Sequence, residues 1–294
     1  MRYFTGSAIW AYQGWVGNFF PKGTKQGDFL REYARRLTAV EGNTTFYATP
    51  SAATVERWRD DTPQGFRFCP KLPRSVSHAG QLAPHLKEAL NFVDLMRGLG
   101  SRLGPLFLQL PPRYSPKFIN DLRAFLKAWP RDLKLAVEVR HLDWFGEHHG
   151  ELNALLREHD AARVLIDTRP IREMPEAEIG RGSVYMRMVE RLEQARERKP
   201  DVPLLPERTA SFALVRYIGH PRIDLNAPLL DEWADRFAGW LSEGADVYAF
   251  CHCPDEIQSP LICRELHRRV AARARIDPLP WDEQEHTLEQ GRLF

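Results

Sequence analysis

Short runs of β-branched and aromatic residues alternate along this chain with longer stretches in which apolar residues recur every three or four positions. The short runs have the composition of buried strands, and the longer stretches have the spacing of amphipathic helices. The predicted strands are 2–6, 39–47, 66–71, 105–110, 133–139, 163–167, 212–218 and 247–251. The predicted helical stripes lie within 29–37, 51–58, 86–96, 118–129, 152–156, 183–198, 230–241 and 262–270, with Ser51 as an N-cap.

Eight strand–helix units in series indicate an α/β fold with a parallel sheet. An open sheet of this size usually has a glycine-rich phosphate loop after its first strand, and GSAIWAYQGW is not such a loop. The length of 294 residues allows two domains, and it also suits a (β/α)8 barrel of ~250 residues with insertions. We therefore expect a single TIM-type barrel over residues 1–276. Residues 277–294 are mostly polar after Pro278 and Pro280 and are predicted to form a mobile tail.

Composition narrows the classes of function. Hydrophobic residues make up 43% and charged residues 27% of the chain, as in globular proteins with a packed core. A net charge of +2 gives no strong field for a polyanionic partner. No apolar run reaches the ~20 residues that cross a bilayer, so no membrane partner is expected. Four cysteines form no disulfide framework, and without a signal segment they indicate a cytoplasmic protein.

Cys251 and Cys253 flank His252 at the end of the last predicted strand. This spacing differs from that of a zinc knuckle, in which two residues separate the sulfurs and a second pair follows. A strand end with small side chains is the favoured interpretation, and a metal–thiolate site is the alternative.

Polar residues stand at the predicted strand ends, where apolar residues would pack better. Side chains in a barrel alternate between the interior and the helix layer, and catalytic residues come from the C-terminal strand ends. In 133–140 this alternation directs Glu138 and Arg140 toward the axis. The residues expected at this rim are Glu41, Asn43, Lys71, Gln109, Glu138, Arg140, Asp167, Arg216 and His252.

Carboxylates and cations that share a cleft shift one another's pKa and can act as acids and bases. The catalytic candidates are Glu41, Lys71, His78, Glu138 and Asp167, with His78 in the loop SVSHAG. The substrate-binding candidates are Asn43, Tyr47, Gln109, Arg140, Trp144 and Arg216. The cofactor is unknown, and the candidate is a divalent metal on Glu41, Glu138, Asp167 and His252. The alternative for the same rim is an ion-pair ring that only stabilises the barrel mouth.

Several motifs occur in a fixed order: GSAIWAYQGWVGNFFP, VEGNTTFYATPS, W-x-x-x-TP-x-x-F-x-F-x-x-K, LGPLFLQLPPRY and AVEVRHLDWF. Together they resemble the YecE-like family, a domain of unknown function (DUF72), from near the N-terminus to about His252. The resemblance implies a TIM-type barrel and no established activity. It includes Glu41, Asn43, Lys71, His78, Gln109, Glu138, Arg140 and Asp167. Many members have Phe-Asn-Asn where this chain has Phe250-Cys251-His252-Cys253, so His252 is the candidate to replace an asparagine.

The chain ends in Gln290-Gly291-Arg292-Leu293-Phe294. This segment is similar to the peptide by which bacterial replication and repair proteins dock on the DNA sliding clamp. Leu293 and Phe294 would fill an apolar pocket, and Gln290 would supply orienting hydrogen bonds. The alternative is that Leu293 and Phe294 pack back on the barrel.

Two functions follow from these patterns. The first is an enzyme that performs acid–base or metal-assisted hydrolysis on an anionic, phosphate-containing substrate. With a clamp-docking tail, the substrate could be DNA and the enzyme a phosphodiesterase. The second is a non-catalytic barrel that binds a ligand or partner and is tethered by its tail. The sequence does not decide between an enzyme and a binding protein.

Overall fold

The computed structural model describes residues 2–173 and 183–282. Nine strands occur in these residues, and every two strands that pair by hydrogen bonds are parallel. The strands are β1 (Tyr3–Ser7), β2 (Ala39–Gly42), β3 (Arg67–Pro70), β4 (Leu106–Gln109), β5 (Leu135–Glu138), β6 (Ala162–Arg163), β7 (Leu165–Asp167), β8 (Phe212–Ile218) and β9 (Asp246–His252). The run predicted as one strand at 163–167 is therefore two short strands separated by Val164.

Helices separate the strands, as the apolar spacing predicts. They are α1 (Phe29–Ala34), α2 (Thr44–Tyr47), α3 (Ala52–Asp60), α4 (Arg74–Ser77), α5 (Leu86–Met96), α6 (Ile119–Ala128), α7 (His149–Glu158), α8 (Arg169–Arg172), α9 (Ser183–Arg198), α10 (Ala227–Ser242) and α11 (Ser259–Ala271). The predicted cap of α3 is confirmed, because Ser51 Oγ accepts a hydrogen bond from Thr54 N at 3.2 Å.

Residues 44–47 were predicted as the end of the second strand and instead form helix α2. The β-branched and aromatic residues there favour a strand locally, but one local and one tertiary hydrogen bond of Thr45 override that preference. Thr45 Oγ1 donates to the carbonyl oxygen of Gly42 at 2.8 Å and to that of Lys71 at 2.7 Å. These bonds turn the chain immediately after Gly42, so Glu41 lies near the end of its strand.

The strands form three parallel sheets with the orders β1-β9-β8-β7, β2-β3 and β4-β5-β6. These sheets do not join into one closed sheet, so the observed fold is α/β with parallel sheets. Hydrogen bonds outside the sheets link two of the gaps. Thr38 N, just before β2, donates to Thr5 O in β1 at 3.1 Å. Leu72 N, just after β3, donates to Phe107 O in β4 at 2.9 Å.

Both faces of the strands are buried. Alternate strand residues form an inner cluster: Phe4, Ala39, Cys69, Phe107, Ala136, Ala162, Val164, Ala210, Phe212, Leu214, Tyr248 and Phe250. The opposite faces pack against the helices in a larger cluster, which includes Val40, Leu108 and Val137. A polar side chain on the inner face therefore needs a polar partner from another strand, since an unpaired buried charge is costly.

The packed part of the chain reaches at least Asp282, beyond the predicted boundary at residue 276. Leu279 and Trp281 are buried, and the Trp281 ring lies 5.0 Å from the ring of Phe19. The remaining tail positions, including Gln290, Leu293 and Phe294, lie outside the described residues. Across 2–173 and 183–282, no helix is both long and apolar enough to cross a membrane.

Candidate functional site

Five charged or titratable residues follow the inner cluster by two positions along their strands or just beyond them. Because side chains alternate in a strand, they face the same side as the apolar residues that precede them. The pairs are Ala39 and Glu41, Cys69 and Lys71, Ala136 and Glu138, Leu214 and Arg216, and Phe250 and His252. At the C-terminal strand ends, a layer of buried charged or titratable side chains therefore lies next to the apolar inner cluster.

Glu41 is at the centre of this layer and is fully buried. Its Oε1 lies 2.7 Å from Lys71 Nζ and 3.1 Å from Arg216 Nη2. Its Oε2 lies 2.9 Å from Arg216 Nε and 2.9 Å from His252 Nε2. One carboxylate therefore joins side chains from three other strands or strand ends.

Arg216 connects Glu41 to a second buried carboxylate. Its Nη1 donates to Glu138 Oε2 at 2.6 Å, and Arg140 Nε donates to Glu138 Oε1 at 2.6 Å. Glu138 is fully buried, whereas Arg140 is partly exposed. The connected residues Glu41, Lys71, Glu138, Arg140, Arg216 and His252 are called the rim network below.

The charge states within the rim network follow from its contacts. Burial would raise the pKa of Glu138, but Arg140, Arg216 and Lys71 lower it to about 2. Arg216, Lys71 and His252 likewise overcome burial and hold the pKa of Glu41 well below its usual range. Both carboxylates are therefore ionised at neutral pH and accept all the hydrogen bonds described above.

Burial lowers the pKa of His252 to about 3, although Glu41 opposes that shift. The imidazole is therefore neutral at pH 7. Since ionised Glu41 can only accept, His252 Nε2 carries the proton and donates to it, which leaves Nδ1 as the unprotonated nitrogen.

Lys71 is only 3% exposed. Burial lowers its pKa to about 8 against the opposing effect of Glu41. Its Nζ also contacts Gln109 Oε1 at 3.1 Å and lies 4.7 Å from the centre of the Phe107 ring. The structure thus brings Gln109 to the rim network, as the sequence predicts.

Three other predicted residues lie around the network. Asn43 Nδ2 donates to Ala8 O at 3.0 Å and so links the segments after β2 and β1. His78 is half-buried, and burial together with Arg140 and Arg113 lowers its pKa to about 4. Tyr47 is 79% exposed and its ring contacts Phe46, which in turn contacts His78.

Asp167 was expected at the rim and lies elsewhere. Its Oδ2 accepts from Trp233 Nε1 at 2.7 Å and from Arg169 Nη2 at 2.8 Å, and its Oδ1 accepts from Arg169 Nε at 3.0 Å. Val164 belongs to the inner cluster, so alternation directs Asp167, three positions later, to the helix side. The predicted catalytic role of Asp167 does not fit this geometry.

Trp144 was expected near the substrate and is instead part of the outer core. It is fully buried, and its Nε1 donates to Tyr114 O at 2.7 Å. A tryptophan in the motif HLDWF could equally face a ligand or the core, and the packing of helices against the strands decides for the core.

The predicted metal site does not form from its four candidates. Glu41 and His252 are adjacent, but Arg216 separates Glu41 from Glu138, and Asp167 is on the other face. Within 2–173 and 183–282, no group of three histidine, cysteine, aspartate or glutamate side chains is arranged to hold a metal ion. Cys251 lies within β9 and Cys253 directly follows it, and both thiols are buried.

Two residues near the rim network are not predicted from the sequence. Lys199 follows α9, and its ammonium interacts electrostatically with Arg216, Glu41, Glu256 and Glu138. Glu256 follows β9, and its carboxyl accepts from Ser259 Oγ at 3.0 Å. Neither is at a strand end. The only sequence signal is that Glu256 follows His252 by four residues.

If Asp167 is structural, replacing it should lower stability and leave ligand binding unchanged. We expect Asp167→Ala to cost about 3 kcal/mol of unfolding free energy, because it leaves the Trp233 N–H and Arg169 without a buried carboxylate. Urea denaturation measures the loss, with Asp143→Ala at an exposed position as the control. Normal stability combined with weakened phosphate binding would instead assign Asp167 to the site.

The comparisons with known proteins agree with the motif resemblance. The family described as protein of unknown function DUF72 matches residues 4–284. The UPF0759 protein YecE of Escherichia coli K12 is 35% identical over 240 residues, which cover 81% of this chain and 84% of that protein. The UPF0759 protein YunF of Bacillus subtilis 168 is 28% identical over 144 residues, 45% of this chain and 50% of that protein.

Two solved structures share the fold. A DUF72 family protein from Enterococcus faecalis V583 has a TM-score of 0.66 at 16% identity and covers 94% of this chain and 96% of its own. Another from Thermotoga maritima MSB8 has a TM-score of 0.65 at 20% identity and covers 92% and 100%. From the match over residues 4–284 and the 35% identity with YecE, the chain belongs to the DUF72 family.

Proposed function

We propose that this protein is an enzyme that binds a small molecule bearing phosphate or carboxylate at the C-terminal strand ends and performs acid–base chemistry on it. The observation that carries the proposal is an excess of positive charge there. Lys71, Arg140, Arg216 and Lys199 oppose Glu41, Glu138 and Glu256, so four cations meet three carboxylates. A bound anion would balance the surplus, since unbalanced charge is costly in a buried region.

The proposal includes a barrel-like arrangement of the strands around one axis. Its support is that side chains from β2, β5, β8 and β9, with Lys71 after β3, meet in a single network. Strands in separate open sheets would not direct five such side chains to one point. The C-terminal end of a (β/α)8 barrel is where the active sites of such enzymes are found.

In this proposal, Glu41 and Glu138 position cations and do not transfer protons. A carboxylate with a pKa of about 2 is a weak base at neutral pH. Proton transfer falls to groups nearer neutrality, namely Lys199, whose pKa burial lowers to about 8, and Glu256, whose pKa burial raises. Arg140 is partly exposed and would hold the anionic group of the substrate.

The second candidate is a non-catalytic ligand-binding protein. It is favoured by the complete pairing of Glu41 and Glu138 with cations, which leaves neither carboxylate free to transfer a proton. Incubation with a pool of phosphorylated and carboxylated metabolites, followed by mass spectrometry, separates the two. Turnover of a compound by the native protein supports the enzyme, and retention of an unchanged compound supports the binding protein.

Hydrolysis of phosphodiesters in DNA is a narrower form of the proposal, and a clamp-docking tail would support it. The clamp-docking hypothesis rests on the sequence alone, through Gln290, Leu293 and Phe294. A synthetic peptide of residues 283–294 would be titrated into a purified bacterial sliding clamp, with Leu293 and Phe294 replaced by alanine as the control. Absence of binding at high micromolar concentration removes the docking hypothesis.

Arg140 offers a direct test of anion binding. We expect Arg140→Gln to weaken the binding of inorganic phosphate by roughly 10- to 100-fold, because a hydrogen bond to a charged group contributes about 1.5–3 kcal/mol. Isothermal titration calorimetry measures this effect. Arg123→Gln, an exposed substitution on α6, is the control and should bind as the native protein does. Equal phosphate affinity in all three proteins would contradict the anion site.

A further inference from the structure

Helix α9 covers the C-terminal ends of β7 and β8. Leu192 and Ala195 on this helix pack with Ile166, Ile171 and Ile218 in one buried cluster. Ile218 follows Arg216 by two residues and faces the same side of β8. The helix therefore packs against the inner face of the strand ends, next to the rim network.

Lys199 is fixed where α9 ends. Its backbone N–H donates to Ala195 O at 2.9 Å. Arg172 Nη2 donates to the carbonyl oxygens of Arg196 at 2.9 Å and Lys199 at 3.0 Å. These bonds satisfy carbonyl groups that a helix end would otherwise leave free, and they hold Lys199 in place.

The ammonium of Lys199 differs from that of Lys71 in its contacts. Lys71 is buried and bonded to Glu41 and Gln109. Lys199 is half-buried and forms no ion pair or side-chain hydrogen bond with any residue in the described ranges. It interacts with Arg216 and Glu41 only electrostatically. Because this ammonium has no direct partner among residues 2–173 and 183–282, it is available to a ligand.

Burial is the main reason that the pKa of Lys199 falls to about 8, and Arg216 adds to the effect. At pH 7 the neutral amine is then roughly 200-fold more abundant than for an unperturbed lysine with a pKa of about 10.4. Neutral lysine amines of this kind react with carbonyl groups.

Glu256 is a proton donor and acceptor that interacts electrostatically with this amine. Burial raises the pKa of its carboxyl. The segment that carries Glu256 is tied to α9, because Arg191 Nη1 lies 2.8 Å from Asp255 Oδ1. The amine and the carboxyl are thus positioned by two elements that are joined to each other.

We propose that Lys199 is a nucleophile that forms an imine with a small carbonyl compound carrying a carboxylate or phosphate group. The inference rests on the proposed anion site, in which Arg140 would hold the anionic group. The neutral amine attacks the carbonyl carbon, a C–N bond forms, and the oxygen takes up the proton that the nitrogen loses. Glu256 then protonates the hydroxyl, the C–O bond breaks, and water leaves. The products are a protonated imine and one water, with no change in oxidation state.

The test uses the intact protein with glyoxylate as the carboxylate probe and glycolaldehyde phosphate as the phosphate probe. Sodium cyanoborohydride at pH 7 traps any imine as a stable amine, and digestion with a glutamate-specific protease followed by mass spectrometry locates it. We expect labelling of Lys199 to exceed that of exposed Lys87 by at least about tenfold, with none at Lys71. The probe that labels more strongly identifies the anionic group.

Lys199→Arg should abolish the strong label and keep the positive charge, while Lys87→Arg should leave it unchanged. Labelling of Lys71, or equal labelling of Lys199 and Lys87 in the native protein, would overturn the inference. Phosphate binding separates the two proposals. If the native protein binds phosphate but Lys199 is not selectively labelled, the anion-site proposal stands and the imine proposal is wrong. A native protein that binds neither phosphate nor probe loses both.

Discussion

Replacing Arg216 with methionine is expected to lower the free energy of unfolding by about 5 kcal/mol. Arg216 donates three hydrogen bonds to two fully buried carboxylates, Glu41 and Glu138. Methionine fills a similar volume but offers no donor, so both carboxylates would keep their charge with fewer partners. Removing one member of a buried ion pair costs about 3–5 kcal/mol, and here the lost side chain serves two.

Chemical denaturation in urea at pH 7.5 measures this loss. Arg216→Lys keeps the charge and loses the planar fork, so we expect an intermediate stability. Arg59→Met removes an arginine that pairs with Asp60 at the surface and should leave the midpoint unchanged, since exposed pairs contribute little. A midpoint for Arg216→Met equal to that of the native protein would mean that the rim network adds no net stability.

Acid is expected to destabilise the protein from about pH 6.5 downward, which is above the range in which carboxylates titrate. The pKa of His252 is about 3 in the folded protein and about 6.5 when unfolded. Folding therefore favours the neutral imidazole. Its contribution is complete above pH 6.5 and decreases as the pH falls toward 3, by up to about 1.4 kcal/mol per pH unit.

Glu138 adds a second loss at lower pH. Its folded pKa of about 2 lies below the ordinary value of 4.5, so its contribution is complete above that value and is lost as the pH falls toward 2. As the pH falls, the contribution of His252 to stability is therefore lost first, and that of Glu138 follows in an overlapping pH range.

The variant His252→Gln isolates the first range. Its amide can still donate to Glu41 but cannot take up a proton, so we expect a flatter stability curve between pH 6.5 and 4.5 in urea denaturation. His78→Gln should flatten the curve in this range by a similar amount, because the folded pKa of His78, about 4, also lies below 4.5. Superimposable curves for the native protein and His252→Gln would show that His252 does not carry this acid sensitivity.

Much of the rim network is predictable because two-residue alternation is a local property. Once Ala136 is assigned to the inner face, Glu138 follows, and the same rule connects Leu214 with Arg216. The predicted position of Asp167 is the exception. Its position at a strand end predicts the rim, whereas alternation counted from Val164 directs it to the helix side.

The sequence by itself determined the family, the alternation of strands and helices, and the charged character of the strand ends, because these depend on nearest neighbours along the chain. Only the tertiary structure decided which charges meet. Glu41 and Arg216 are 175 positions apart, and Lys199 follows a helix whose apolar pattern indicates only that one face is buried. Hydrophobic spacing specifies that a helix packs through one face. The surface that the helix packs against specifies where the residues after its end lie.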